Sequence, residues 1–464
     1  MASKKRGGAV STMSRENRAH GGGWRQPLIN TSRRVFWLMF LINALNYLDR
    51  LIIVAVGPTL KSEFHLKDSQ IGLLSSAFLL VYTLSALPLG MLADWSFPRA
   101  KIVAVGVAFW SVISGASAFA GNFASLFITR ALVGVGEASY FPAGTALLSA
   151  YYGLEKRARI LGRWQVGQLL GVALAYALSA ALFVWLPSHL AWRVAFLVAG
   201  LPGLGLAIAM WFVAEGPATP VDKPPRAARP SIDEAPASEW SSGGLANLRN
   251  HLARVLRIRT VWAVVILQAL AFIVITPCIA FLTIYLRSPR GPFHLGASGA
   301  AITSGLIVVG GATGAALGGT LADRLGARYT GGRVLAVGVS FALAAPFLLL
   351  LLITHSLSVF LLTGIIAVFA LNLQSGPLAA MLQDTTPAAM RGTAVAVANL
   401  LAHLLGDVWA PGVVGAISTA LHEREAIALL IVCLPALLVG AFVALPAAQA
   451  YARDLNDLGA APNI

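Results

Sequence analysis

Residues 35–60, VFWLMFLINALNYLDRLIIVAVGPTL, form an otherwise apolar run in which Asp49 and Arg50 stand side by side. A run of this length can cross a bilayer as one helix. Each charge costs roughly 2.5–3.5 kcal/mol at the centre of such a helix on insertion scales. Charges this costly normally face a protein interior or a water-filled cavity, so the pair predicts a functional site inside a membrane protein.

The composition leads to the same class of protein. The chain has 464 residues, of which 57% are hydrophobic and 11% charged, whereas soluble domains contain about 25% charged residues. Apolar runs separated by turn signals predict an all-α membrane protein with twelve transmembrane helices. The expected limits are 35–60, 70–94, 100–121, 123–152, 158–186, 190–214, 260–286, 297–323, 329–354, 356–384, 390–420 and 423–448.

A short internal repeat predicts that the twelve helices form two six-helix bundles, at 35–214 and 260–448. The sequence GMLAD at 90–94 ends the second helix of the first bundle, and GTLAD at 319–323 ends the second helix of the other. Parallel halves of this kind are a known plan among transporters. The remaining segments are predicted to be a disordered basic tail (1–34), a linker with a basic amphipathic helix near Leu245–Leu256 (215–259), and a second tail (449–464).

The basic residues predict the orientation of the chain. Of the 34 Lys and Arg residues, 26 fall in the tails, the linker and the loops that share one side of the twelve-helix arrangement. By the positive-inside rule, both termini are expected in the cytoplasm of a multi-pass protein of the cell (inner) membrane. The net charge of +15 is then expected to contact anionic inner-leaflet lipid, with no nucleic-acid partner. We expect a monomer.

Two helices carry polar stripes that indicate a cavity. Asn43, Asn46, Tyr47 and Arg50 share one face of the first helix by spacing, and Asp49 lies on the stripe of Asn46. In the fourth helix, Arg130 and Glu137 stand two turns apart, with Gly134 and Gly136 between them. The alternative interpretation is that these charges form buried ion pairs that only fix the packing.

The eleventh helix carries Asn399, His403 and Asp407, each four residues after the last. Three acids (Asp49, Glu137 and Asp407) face two bases (Arg50 and Arg130), which leaves one negative charge that a proton could neutralise. His403 could instead neutralise Asp407. We expect Asp49 and Glu137 to approach each other with Arg50 or Arg130 within ion-pair distance, and we expect neutralisation of Asp49 to leave Arg50 without its partner.

Other patterns exclude several function classes. Cys278 and Cys433 lie in apolar helices without zinc-ligand spacing, and no other metal-ligand cluster is apparent. The chain contains no ATP-binding loop, no nucleophile–base motif and no cofactor motif, so we expect neither an enzyme nor a primary pump. The glycine series 310, 314 and 318, and the pair 167 and 171, predict close helix packing.

These motifs together resemble the major facilitator superfamily over about residues 35–448. Gly90 and Asp94, with Arg99 farther along, resemble the cytoplasmic loop motif of this family. A second copy of the motif is resembled by Gly319, Asp323, Arg324 and Arg328. The first copy lacks the usual basic residue directly after Asp94. The segments NYLDR (46–50), GEASY (136–140) and HLLGD (403–407) resemble the Spinster-like branch.

The resemblance implies proton-linked movement of an amphiphilic lipid, such as a lysophospholipid or a sphingoid phosphate, by alternating access. It assigns proton coupling to Asp49 and Glu137 and matches Arg50 beside the first acid. We add Arg130 to the expected proton-coupling residues because it shares the fourth helix with Glu137. The expected substrate cavity is lined by Asn43, Asn46, Tyr47, Tyr140, Asn399, His403 and Asp407. The competing hypotheses are a proton-coupled organic-anion or drug carrier, an uncoupled lipid channel or scramblase, and, as the weakest, an intramembrane enzyme.

Overall fold

The computed structural model describes residues 31–94, 98–152, 154–214, 252–329, 331–387 and 390–457. We number the long helices α1 to α12 in chain order and treat an interrupted helix as one element. The N-terminal half consists of α1 (Ser32–Glu63), α2 (Asp68–Asp94), α3 (Arg99–Ser117), α4 (Phe123–Ala138 and Tyr140–Tyr151), α5 (Leu154–Trp185) and α6 (Ser188–Trp211).

The C-terminal half repeats this order of six helices. It consists of α7 (Arg259–Arg287), α8 (Ala297–Gly311 and Gly314–Gly326), α9 (Gly332–Ile353), α10 (Leu357–Asn372 and Ser375–Thr385), α11 (Arg391–Leu405 and Ala410–Ala420) and α12 (Glu425–Asp457).

Within the described ranges, ten helices are long and apolar enough to cross a membrane. The other two, α4 and α8, consist of shorter segments, because α4 is interrupted at Ser139 and α8 at Ala312 and Thr313. Helices α10 and α11 are also interrupted, and each reaches the spanning length when its two segments are taken together. The predicted all-α architecture with twelve helices is confirmed. Helices α4 and α8 carry the charged and the glycine-rich patterns that the sequence singled out.

The limits of the helices differ from the expected ones by several residues at some ends. Helix α1 begins at Ser32, and α12 continues to Asp457, beyond the expected end at 448. Most of the predicted amphipathic segment lies outside the described residues, which include only a helical turn at 252–255. Residues 1–30 and 458–464 of the two predicted tails are also outside them.

Local sequence signals fix the start of α4. Asn122 caps the helix, because its side chain accepts a hydrogen bond from the Ser125 backbone while the Ser125 hydroxyl accepts from the Asn122 backbone. This reciprocal capping satisfies amide groups at the helix start. Arg130 and Glu137 follow within the same helical segment.

Both halves contain helix pairs whose backbones touch at a glycine. In the N-terminal half, a side chain at Gly171 of α5 would collide with the carbonyl oxygen of Ala44 in α1. In the C-terminal half, a side chain at Gly314 of α8 would collide with the carbonyl oxygen of Phe369 in α10. The predicted close packing at these glycines is therefore present, as is usual where small residues line helix interfaces in membranes.

The two halves meet along α1 and α7, α2 and α11, and α5 and α8. We call the end of the bundle where α1 begins and α12 ends the tail side, and the opposite end the far side. In the described part of the chain, the hydrogen bonds that join the halves lie in the far-side portion of the helices. They are Thr283 to Val54, Arg287 to Thr59, Ser69 to Thr419, Ser418 to Asp68 and Gly412 to Ser76. The halves are thus joined on the far side.

Candidate functional site

An ion pair joins α1 to α4 inside the N-terminal half. The Nε atom of Arg50 donates to Oε2 of Glu137 over 2.5 Å. The Glu137 side chain is completely enclosed, whereas 18% of the Arg50 side chain remains exposed. Glu137 lies two residues before the interruption of α4 at Ser139. The pair therefore links the middle of α1 to the region where α4 is interrupted.

A second pair links the same two helices through hydroxyl groups of α3. Asp49 is fully buried, and its Oδ1 accepts a hydrogen bond from the Ser114 hydroxyl. Nη1 of Arg130 lies 3.9 Å from Oδ2 of Asp49, and Nη2 donates to the hydroxyls of Ser114 and Ser117 at 3.3 Å each. Buried charges normally need partners of this kind. Both arginines thus lie within ion-pair distance of an acid, as expected from the sequence.

The choice of partners corrects one expectation. Neutralisation of Asp49 was expected to leave Arg50 unpaired, but the acid that pairs with Arg50 is Glu137, and Asp49 pairs with Arg130. Adjacent residues of a helix point about 100° apart, because a turn contains 3.6 residues. Asp49 and Arg50 consequently face different neighbours, and loss of Asp49 would isolate Arg130.

Three aromatic rings surround the Arg50 guanidinium. Its central carbon lies 4.4 Å from the ring centroid of Tyr82, 5.3 Å from Tyr47 and 5.4 Å from Phe78. Such contacts stabilise a cation over the face of a ring. Sequence reasoning singled out Tyr47 but missed Phe78 and Tyr82, whose four-residue spacing on α2 was the available signal.

Asn43 and Tyr140 connect helices rather than face an open space in this conformation. Nδ2 of Asn43 donates to the carbonyl oxygen of Trp164 over 2.9 Å. The Tyr140 hydroxyl donates to the carbonyl oxygen of Met39 over 3.1 Å and accepts from Nε1 of Trp164 over 2.9 Å. Both predicted cavity residues are buried. They tie α1 to α4 and α5 beside the ion pairs.

Several buried polar atoms of this region have no hydrogen-bond partner among the described residues. They include Oε1 of Glu137, Oδ1 of Asn43 and Nδ2 of Asn46. A buried polar group without a partner costs free energy, so such atoms are commonly functional. The free Oε1 of Glu137 is chemically suited to accept a proton.

The C-terminal half holds a smaller polar group between α7 and α11. Nδ1 of His403 lies 3.0 Å from Oδ2 of Asp407, and the Phe272 ring stacks on the imidazole at 4.5 Å between centroids. Oδ1 of Asn399 accepts from Nε2 of Gln268 over 3.0 Å. The predicted stripe on α11 thus divides into an internal pair and a contact with α7. Gln268 and Phe272 were not identified from the sequence.

The loop motif residues lie at the tail side. Asp323 is largely exposed near the end of α8, and its Oδ1 is 3.4 Å from Nη2 of Arg333. Arg333 also pairs with Asp384, which accepts a hydrogen bond from the Tyr451 hydroxyl over 2.6 Å. This network of α8, α9, α10 and α12 was missed in the sequence, except for Asp323.

The other predicted motif residues take less part in described contacts. Arg324 and Arg328 are exposed on the tail side, and a side chain at Gly319 would meet open space. Gly90 and Asp94 belong to the last turns of α2, and Arg99 begins α3. The side chain of Asp94 and residues 95–97 lie outside the described residues.

Comparison with known proteins identifies the family. Residues 39–411 match the model of the Major Facilitator Superfamily. The chain is 30% identical over 411 residues to Protein spinster homolog 1 of Xenopus laevis, covering 85% of this chain and 74% of that protein. It is 31% identical over 176 residues to the probable L-galactonate transporter of Escherichia coli, covering 38% of each.

A solved structure shares the fold. It is the crystal structure of a bacterial homolog to the human lysosomal transporter Spinster, in an inward-facing and unoccupied conformation. The TM-score is 0.73 at 22% identity, covering 93% of this chain and 98% of that chain.

The chain therefore belongs to the Major Facilitator Superfamily of membrane transporters. Within that superfamily it belongs with the Spinster-like proteins, as the motifs of α1, α4 and α11 predicted. It is a multi-pass integral membrane protein of a family whose members are transporters and not enzymes.

Proposed function

We propose that the protein is a proton-coupled secondary transporter that moves an amphiphilic, lipid-like molecule by alternating access. The observation that carries the proposal is the interlocked set of Asp49, Arg50, Arg130 and Glu137 inside the N-terminal half. Rocking of the two halves about a central cavity would present this set to each side of the membrane in turn.

The Arg50–Glu137 pair supports the proton step. In the described conformation the arginine and the carboxylate neutralise each other at 2.5 Å. A proton on Glu137 removes the negative charge, and Arg50 is then available to an anionic group of the substrate. Release of the proton restores the pair and displaces that group. Proton and substrate would thus be linked through a single arginine.

The surroundings of Arg50 support an amphiphilic substrate. The guanidinium can bind a phosphate or a carboxylate through several donors, and the rings of Tyr47, Phe78 and Tyr82 offer an apolar surface beside it. Gln268, Asn399 and His403 add neutral or titratable polar groups from the opposite half. An anionic headgroup with a hydrocarbon chain matches this combination.

A proton-coupled organic-anion carrier is the second candidate. It is favoured by the similarity, over 38% of this chain, to the probable L-galactonate transporter, which is named for a sugar acid. Arg50 could bind a sugar-acid carboxylate by the same geometry. The aromatic rings would then contact the sugar.

The proposed orientation follows from the basic residues of the sequence. We place the protein in the inner membrane of the cell, with the tail side and both termini facing the cytoplasm. The tails and the linker then contact anionic lipid of the inner leaflet. The described conformation, joined on the far side, is then the one closed to the outside. We propose a monomer as the working unit.

The test is accumulation in proteoliposomes with and without an imposed pH gradient, using a lysophospholipid, a sphingoid phosphate and a sugar acid as separate substrates. The proposal predicts pH-driven accumulation of a lipid above its equilibrium distribution. Accumulation of the sugar acid alone would establish the second candidate. Lipid movement that only equilibrates, whatever the pH gradient, would indicate an uncoupled scramblase and contradict coupling.

A further inference from the structure

A second group of charged residues lies between the two halves on the far side, well away from the ion pairs of α1 and α4. Lys61, near the end of α1, is 2.6 Å from Oδ1 of Asp68, the first residue of α2. The same ammonium lies 3.3 Å from Glu423 and 3.7 Å from Glu425, which belong to the C-terminal half. We call these four residues the far-side cluster. The contacts of Lys61 with Glu423 and Glu425 join the N-terminal half to the C-terminal half.

The far-side cluster is enclosed on several sides. Asp68 is fully buried and accepts a hydrogen bond over 2.5 Å from the Ser418 hydroxyl of α11. Glu425 is 2% exposed, and its Oε2 accepts a bond over 3.1 Å from the Ser288 hydroxyl. Glu423 is the most exposed of the acids, at 37% of its side chain. Two of the three carboxylates are thus removed from water.

The charges of the far-side cluster do not balance. Two buried carboxylates, Asp68 and Glu425, share one ammonium group, and a third carboxylate lies at the edge. Oε1 of Glu425 is buried and has no hydrogen-bond donor among the described residues. An excess buried carboxylate with one oxygen that lacks a donor is the group that a proton satisfies best.

The neighbouring charged groups do not supply the missing cation. Arg287 donates to the Thr59 hydroxyl over 3.0 Å, and Arg290 donates to the carbonyl oxygen of His422. Arg424 is exposed. The titratable or charged side chains of α7 and the adjoining loops near the cluster are Tyr285, Arg287, Arg290, His422 and Arg424, together with His65 and Lys67, which are exposed in the loop between α1 and α2.

We propose that the far-side cluster is a second proton-binding site and that closure of the far side binds a proton there. When the far side opens, Glu423 and Glu425 move away from Lys61 and Asp68 and regain water. When it closes, Asp68 and Glu425 are brought together around one ammonium, and uptake of a proton neutralises the excess charge. The closed state holds more protons, so low pH favours it.

The inference rests on the proposed alternating access, but it concerns a different proton from the one on Glu137. It gives the far side a means of sensing the pH of the solution that it faces. An acidic exterior would then drive the transporter toward the conformation that opens to the tail side. A neutral exterior would remove the proton and allow the far side to open.

The experiment measures the distance across the far side by double electron–electron resonance in the full chain. Spin labels are attached to Phe119→Cys in the N-terminal half and Ser358→Cys in the C-terminal half, both exposed on the far side and outside the far-side cluster. The native thiols are removed by Cys278→Ala and Cys433→Ala. The Glu137→Gln substitution is included so that the central proton site does not titrate. Distances are recorded from acidic to mildly alkaline pH.

In this background the open-to-closed ratio should rise with pH by up to about tenfold per unit, as for linkage to one proton. Addition of Glu425→Gln should remove most of this pH dependence and leave the far side closed. The matched control is Glu63→Gln, an acid on the same side whose partners, Trp192 and Arg193, both belong to the N-terminal half. The control should leave the pH profile unchanged.

Equal pH profiles with and without Glu425→Gln would overturn the inference, as would a control that abolishes the dependence. Lys61→Gln provides a second variant, because it removes the only cation of the far-side cluster. It should shift closure to lower pH, and a shift to higher pH would contradict the proposal. The proposed function is tested by a different measurement, the loss of pH-driven accumulation in the variant that carries Glu137→Gln alone. The proposed function and the far-side proton site can therefore fail separately.

Discussion

The two halves of the molecule share their packing but differ in their interior chemistry. The N-terminal half places four charges of α1 and α4 in two pairs between helices. The interior of the C-terminal half has one described pair, His403 with Asp407, and both residues belong to α11; the pairs of Arg333 lie at the tail side. Cys278, which follows Asp49 by the 229 residues that separate GMLAD from GTLAD, faces Cys433 with 4.0 Å between the sulfurs. The two halves of the repeat thus share their helix packing but not the charged residues of their interior.

This difference indicates where proton binding can be coupled to helix movement. A charge that bridges two helices can respond when the helices move, whereas a pair within one helix turns with it. The charged bridges are confined to the N-terminal half among the interior residues described above, and the far-side cluster connects that half to the other. The C-terminal half is then the partner against which the charged half moves.

The largest expected effect on stability is that of Asp49→Asn. It leaves the Arg130 guanidinium buried without an acidic partner, beside the hydroxyls of Ser114 and Ser117 and the ring of Phe196, and breaking a buried pair costs about 3–5 kcal/mol. Asp407→Asn is the matched change in the C-terminal half, where His403 remains 26% exposed. Asp407→Asn should lower the free energy of unfolding by clearly less than Asp49→Asn does. Unfolding of the purified variants in detergent measures both, and equal losses would contradict the contrast between the halves.

A smaller effect, similar in the two halves, is expected from filling the glycine contacts. Gly171→Val separates α5 from Ala44 of α1, and Gly314→Val separates α8 from Phe369 of α10. Overpacking of this kind costs about 1–3 kcal/mol.

The control for the glycine variants is Gly162→Val in α5, because a side chain at Gly162 meets open space. It should unfold close to wild type in the same assay. A loss confined to one half would show that the halves differ in packing as well as in charge.

The smallest effect is expected for His403→Gln. Gln can still donate to Asp407, although it cannot carry the charge of an imidazolium. Transport should fall by no more than about tenfold, equivalent to roughly 1.4 kcal/mol, and accumulation should still respond to the pH gradient. If the response to pH disappeared, proton coupling would have to be assigned to α11 instead of α1 and α4.

The sequence predicted the twelve helices and the charged residues of the site, because apolar run length and the cost of buried charge are local properties. It did not predict which acid pairs with which arginine. That choice depends on the rotation of α1 against α3 and α4, and Ser114 of α3 carries no signal of its own. Gln268 was missed for the same reason, whereas the four-residue spacing of Phe78 and Tyr82 was a signal that could have identified them. The far-side cluster was missed because its members come from loops and helix ends distant in sequence.

Proton coupling through Glu137 can be measured as pH-driven accumulation by the Glu137→Gln variant in proteoliposomes, compared with the Asp407→Asn variant. Gln has the shape of the neutral acid and leaves Arg50 in contact with Tyr47, Phe78 and Tyr82, so the protein should remain folded. We predict that Glu137→Gln exchanges substrate down its own gradient but no longer accumulates it, while Asp407→Asn still accumulates. Full accumulation by Glu137→Gln would contradict the account and direct attention to Asp407 and His403.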